Sequence, residues 1–189
     1  MNNVTICNNA LVKLGQDIIV NLGADNPRAK ACNSIFDISL DLLLQKHEWN
    51  FAVELTTLAL IAEAPEFEYT YQHQLPTDPY CLQVIQFYPD FEFKIIGRTL
   101  HSDQETVELK YIKRVTNLND LSPTFVESLS LYLAAQLSII LLDNPQVKEQ
   151  MTRDYHGMLN SAKLLDSQED TSSRLIDGSF ITERMYTSQ

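Results

Sequence analysis

The chain has 189 residues, 44% of them hydrophobic, with 14 basic against 25 acidic side chains and a formal net charge of −11. This is enough apolar material for one compact core and too little length for two comfortable domains. Phosphate contacts need lysine and arginine, so the charge argues against tight binding of nucleic acid.

Cys7, Cys32 and Cys81 are odd in number, widely spaced and flanked by apolar residues, the pattern of buried free thiols in a reducing compartment. The first twenty residues carry Asn2, Asn3, Asn8, Asn9, Lys13 and Gln16 where a signal peptide would have an apolar run. No segment reads as the roughly 20 apolar residues that cross a bilayer, so no membrane partner is expected and the chain should be cytoplasmic when made.

Val4, Cys7, Ala10, Leu11 and Leu14 recur at spacings of three and four, which predicts a helix over 3–15, capped by Asn2 or Asn3 and ended near Gly15. Residues 16–25 read as a loop that Ile18, Ile19 and Leu22 pack down. Asn26-Pro27 then starts a helix over 26–46, the asparagine taking free N–H groups and the proline sitting in the first turn. Ala31, Ile35, Ile38 and Leu42 predict its core face, widened by Cys32, Phe36, Leu40, Leu43 and Leu44. A helix this apolar is expected to be covered on more than one side.

After Trp49, the only tryptophan, the rule changes to alternation, with β-branched and aromatic residues common up to Val115. Strands are predicted over 53–62, 68–74, 81–88, 92–96, 99–102 and 106–114, with Pro65, Pro76, Pro79, Pro89 and Gly97 in the turns between them. Ser122-Pro123 opens a helix over 122–142, and Asn144-Pro145 opens another over 144–168 whose buried face is Val147, Met151, Tyr155, Met158, Ala162 and Leu165. Beyond a polar run, Leu175, Ile176, Phe180, Ile181, Met185 and Tyr186 lie in a tail without helical period, and such residues fit a partner surface better than open solvent. The expected fold is α+β: a four-helix bundle with an inserted antiparallel β-sheet region, 53–115, and an extended C-terminal tail. Residues 1–170 form the single domain and 171–189 the tail.

The sequence offers little chemistry. His47, His73, His101 and His156 lie far apart with no helical zinc spacing, and no catalytic, cofactor-binding or metal-binding set is expected. Asp37 and Asp41 lie one helical turn apart, a solvated acidic face in the simpler reading. Glu63, Glu66 and Glu68 crowd a turn where a pair of carboxylates could in principle cleave a glycosidic bond. Lys110, Lys113 and Arg114 beside Tyr111 are one basic knot, most simply sheet-edge charge. A large aromatic at a helix-to-strand turn fills the gap between layers, so Trp49 is expected in the core, with its indole N–H on a carbonyl and with His47 and Asn50 stabilising the turn.

Several landmarks carry a resemblance. They are Ala10-Leu-Val-Lys-Leu-Gly15, then Arg28-Ala-Lys-Ala-Cys32 leading to Trp49-Asn-Phe-Ala52, and Tyr71-Gln-His-Gln-Leu-Pro-Thr-Asp78. Leu109-Lys-Tyr-Ile-Lys-Arg-Val115 before Ser122-Pro-Thr-Phe125, Leu133-Ala-Ala135 and Gly178-Ser-Phe-Ile-Thr-Glu-Arg184 complete the series. In order and spacing they resemble the head-to-tail adaptors of short-tailed bacteriophages, the tail tubular protein A-like connector ring proteins. Phe180 stands where that family's C-terminal motif leads one to expect tryptophan.

The resemblance implies a dodecameric ring of copies of this chain beneath the portal protein, meeting the tail nozzle or tail tubular protein on its other face and leaving a channel for double-stranded DNA. Such a protein is assembled in the host cytoplasm and resides in the virion. It implies portal binding by Leu175, Ile176, Phe180, Ile181, Arg184, Met185 and Tyr186, and structural roles for Trp49, Phe51, Leu75, Pro76 and Tyr111. The alternative is a tail-associated enzyme that cleaves peptidoglycan, with Glu63, Glu66 or Glu68 as the acid.

Overall fold

Short polar side chains fix where the helices begin. In the computed structural model, which describes residues 1–65 and 67–169, Asn2 accepts from the Thr5 N–H at 2.9 Å and opens α1 (Asn3–Lys13). Asn26 accepts from Ala29 N–H at 2.8 Å before α2 (Pro27–Leu44), and Ser122 from Phe125 N–H at 3.3 Å before α3 (Pro123–Leu142). Asn144 accepts from Gln146 and Val147 N–H ahead of α4 (Pro145–Glu169). Each cap satisfies donors that the first helical turn leaves free, and a proline in three of those turns loses nothing by having no N–H. Gly15, at φ +65°, turns the chain away after α1 in the left-handed region that glycine adopts at little cost. In the loop that follows, Asn8 holds both the N–H and the carbonyl of Ile19, at 2.8 and 2.9 Å.

The β region is larger than an insertion. β1 (Val53–Thr57), β7 (Glu108–Lys113) and β4 (Cys81–Tyr88) form one antiparallel sheet in the order β1-β7-β4. β2 (Ala59–Leu60), β3 (Tyr71–Gln74), β6 (Thr99–Ser102) and β5 (Phe93–Ile96) form a second, in the order β2-β3-β6-β5. The expected strand over 53–62 divides at buried Leu58, whose N–H donates to the Val107 carbonyl at 2.8 Å, and its two halves join different sheets. Alternation shows which side chains point inward, but it does not name the partner strand.

Two cores result. Ile112 of β7 joins Trp49, Phe125, Leu129 and Leu133 in the helical core, whereas Leu109 and Tyr111 of the same strand join Phe87, Leu100 and Val107 in an outer one. The β1-β7-β4 sheet is thus a middle layer between the helices and the second sheet. Register shifts at Cys81/Gln83 and Val84/Gln86 bulge β4, so Cys81, Val84 and Phe87 share its outer face at a spacing of three while Leu82 and Ile85 face the helices.

The expected four-helix bundle does not form. Four helices and, among the described residues, seven strands in two antiparallel sheets make a mixed α+β fold. A bundle packs each helix against two neighbours around a shared seam. Here α3 is a hub on which α1, α2 and α4 each pack, and a groove parts α2 from α4. The hub is also long and apolar enough, by length and composition, to cross a membrane, contrary to the expectation that no segment would be. Serines obscure this in the sequence. Ser128, Ser130 and Ser138 are buried with their hydroxyls donating to carbonyls of their own helix at 2.8 Å, which lets polar residues sit in the core.

Burial, and after it Glu54, pushes the Tyr111 phenol up to about 12. An unfolded tyrosine titrates near ~10, so the buried neutral phenol contributes fully below that pH and its contribution is lost as pH rises through the folded value. Stability from urea denaturation is expected to fall between about pH 10 and 12, and Tyr111→Phe to remove that part of the fall.

Candidate functional site

The helix-to-strand turn after α2 is built around one indole. Trp49 is fully buried, its Nε1–H donates to the Leu43 carbonyl at 3.2 Å, and Phe125 meets it edge-on with ring centroids 5.0 Å apart. Phe51 stacks at 5.9 Å and also meets Phe125, while His47 lies edge-on at 4.9 Å. The polar side of the turn is closed by Asp166 of α4. Its carboxylate accepts from the Asn50 N–H at 3.2 Å and lies 3.1 Å from His47 Nε2, and its backbone carbonyl accepts from Asn50 Nδ2 at 2.8 Å. The expected core role of Trp49 and the turn roles of His47 and Asn50 are present. Asp166 was not anticipated: it sits just before a polar run and looks solvated in sequence, yet it is 7% exposed.

A second anchor fixes the proline turn. Leu75 is buried and its N–H donates to the Arg98 carbonyl at 3.0 Å. Arg98 returns two bonds, to the Pro76 carbonyl at 2.5 Å and the Cys81 carbonyl at 3.2 Å, and its guanidinium lies 4.0 Å from the Tyr80 ring centroid. No motif marks Arg98 in advance. The basic knot is neutralised by acids: Lys110 pairs with Glu48 at 2.9 Å, Lys113 with Glu54 at 2.9 Å, and Arg114 with Asp41. The hydrogen bond that Arg114 donates to Asp41 raises the Arg114 pKa further. Asp41 is thus committed to Arg114 and not to a cation shared with Asp37.

The five residues with expected structural roles therefore fall into two groups. Trp49 and Phe51 close the seam between helices and middle sheet, and Leu75, Pro76 and Tyr111 belong to the outer core and its turn. Leu175, Ile176, Phe180, Ile181, Arg184, Met185 and Tyr186, the expected portal contacts, lie outside the described residues. Glu63 and Glu68 line a cavity of about 500 Å³ with Lys94 and His101, and Glu66 lies outside the described residues. Glu68 pairs with Lys94 at 3.1 Å, and both glutamates stand in solvent. A glycosidase acid sits instead in an apolar pocket. Among the described residues no three metal-ligating side chains cluster.

The apolar surface is unevenly covered. On α2 the buried side is Ala29, Cys32, Phe36, Leu40, Leu43 and Leu44, whereas Ile38 and Leu42 of the expected core face are 64% and 42% exposed. Next to Leu42 runs the groove between α2 and α4, about 330 Å³, with Tyr132 and Ala135 of α3 on its floor. Ile139 and Ile140, one turn beyond the groove residue Gln136, are exposed as well. Across the molecule the edge strand β5 carries exposed Phe93, Ile95 and Ile96. Unpaired, apolar sheet edges are ready templates for another chain.

No protein-family model matches the chain, and no curated protein matches it.

The seam is testable because the chain's one tryptophan reports on it. Trp49→Ala is expected to cost about 3–5 kcal/mol, the range for losing a large buried ring. Asp166→Ala is expected to cost about 1–3 kcal/mol by leaving the Asn50 N–H without its acceptor, with Trp49 emission shifted to the red. Urea denaturation checks both, and a transition unchanged in either variant would contradict the seam.

Proposed function

We propose that this chain is the head-to-tail adaptor of a short-tailed bacteriophage. Copies form a closed ring beneath the portal, the ring joins the portal to the tail, and its opening passes double-stranded DNA. The order and spacing of the landmark motifs, from Ala10 to Arg184 and covering nearly the whole chain, carry this reading. A physical argument supports it. Neighbours in a ring meet head to tail, so each copy needs two unlike surfaces that fit each other. Among the uncovered apolar surfaces of the described chain are two of unlike shape, the helical one around Ile38 and Leu42 and the sheet edge at β5.

Net charge fits the conduit role. With −11 on every copy, a ring repels the DNA backbone instead of holding it. Apolar side chains in the tail gain about 1.5–3 kcal/mol each when fully buried, and many tails on one portal add effective concentration. Contacts that are weak singly can therefore hold the joint.

Sedimentation with purified portal rings tests the reading. The full chain is expected to travel with the portal, whereas a chain lacking residues 174–189 stays at the top of the gradient with its fold intact by circular dichroism. Normal joining of the truncated chain would overturn the role of the tail, and failure of the full chain to join would overturn the adaptor reading. Alone, the full chain is expected to elute as a monomer in size-exclusion chromatography; a stable ring without portal would contradict assembly on a template.

A further inference from the structure

We infer that the groove between α2 and α4 is the resting site of this chain's own residues 170–189 before any partner takes them. The groove offers an apolar trough, with Leu42, Leu43, Tyr132, Ala135 and Tyr155 on its walls and floor. Its charge is unusual for this molecule. Lys46 and Lys148 stand on its rim, and Lys163 follows His156 by two turns on the same stripe of α4. Among the described residues these are the lysines with no carboxylate partner, since Lys13, Lys30, Lys94, Lys110 and Lys113 each pair with an aspartate or glutamate. A chain of net charge −11 thus keeps two of these three lysines on the rim of one apolar trough and the third further along the same stripe of α4. The complement is an apolar segment with interspersed acids.

The stretch from Leu175 to Ile181 has that chemistry, with Asp177 its one charge, while Arg174 and Arg184 lie outside it beside the acids at either end. Leu175-Ile176 and Phe180-Ile181 are two apolar pairs around Asp177, with Asp170 before them and Glu183 after. The exit point suits the site. The described part of α4 ends at Glu169, less than a turn beyond Asp166, and Asp166 is held by His47, next in sequence to Lys46 at the groove's edge. From His156 to Glu169 the helix rises about 20 Å at ~1.5 Å per residue. An extended chain covers about 3.3 Å per residue, so about six residues return it to the level of His156 and bring both apolar pairs over the floor. Asp177 then comes within reach of Lys148 and Lys46.

The contact belongs to the free chain and goes beyond the adaptor reading. One consequence does rest on that reading: a segment lying in the groove covers the helical surface that a neighbouring copy would use. Capture of the segment by the portal would then uncover the ring contact, and closure would wait for the template.

Zero-length carbodiimide coupling of the full-length chain, read by mass spectrometry of its peptides, tests the contact. Lys13 to Glu127 and Lys110 to Glu48 are paired at 2.6 and 2.9 Å and serve as internal controls. Links are expected from Asp170, Asp177 or Glu183 to Lys46, Lys148 or Lys163. In a mixture of heavy- and light-isotope chains they should join residues of one isotope only. Leu42→Asp should reduce them to background while the Lys13–Glu127 link persists, which shows that the fold is kept. Control links without the groove links would overturn the inference, as would groove links insensitive to Leu42→Asp or links that mix isotopes and so come from a second copy. No portal is present, so either result leaves the adaptor reading untouched, and failure on portal rings leaves the groove contact untouched.

Discussion

Three passages of the chain meet at Trp49, and the arrangement of the rest follows from that meeting. The first is the turn from α2 into β1, which buries the indole and hangs it from the Leu43 carbonyl. The second is the return from β7 into α3, which brings Phe125 edge-on to the ring. The third is the last turn of α4, where Asp166 accepts from Asn50 and meets His47. A buried carboxylate is tolerated only when such donors surround it. The indole thus sets how the helices sit on the middle sheet, and Asp166 sets where the chain leaves the described domain, beside Lys46 and the groove.

The consequence is a molecule whose two outer layers differ. The helical layer has α3 at its centre and leaves Ile38 and Leu42 uncovered, and the outer sheet leaves the far edge of β5 without a partner strand among the described residues. A twofold dimer needs one self-complementary patch, whereas a ring needs two that complement each other. The proposed adaptor role and the proposed resting place of residues 170–189 both depend on this asymmetry. One uses the two surfaces together, and the other keeps one of them covered until assembly.

Much of the local structure was legible because its causes are local. Caps at Asn26, Ser122 and Asn144 followed by proline placed three helix starts, and prolines together with Gly97 marked the turns between strands. What depends on pairing across the chain was not legible. The run through Leu58 reads as one strand, and only the bond to Val107 shows that it changes sheets. Two bulges in β4 replace alternation by a spacing of three, which no period-two reading detects. The bundle expectation failed because the sheet layers form a second core, and because apolar spacing on α2 cannot tell a face against α3 from a face left bare. Asp166 was missed because a carboxylate near a polar run looks solvated until the turn it closes is in place.

Electron cryomicroscopy of the chain assembled on portal rings tests the central claim most directly. The account predicts a closed ring in which the helical surface around Leu42 of one copy meets the β5 edge, around Ile95, of the next, with residues 170–189 drawn out of the groove and onto the portal. Copies bound singly without touching one another, or paired through the same surface twice, would contradict it.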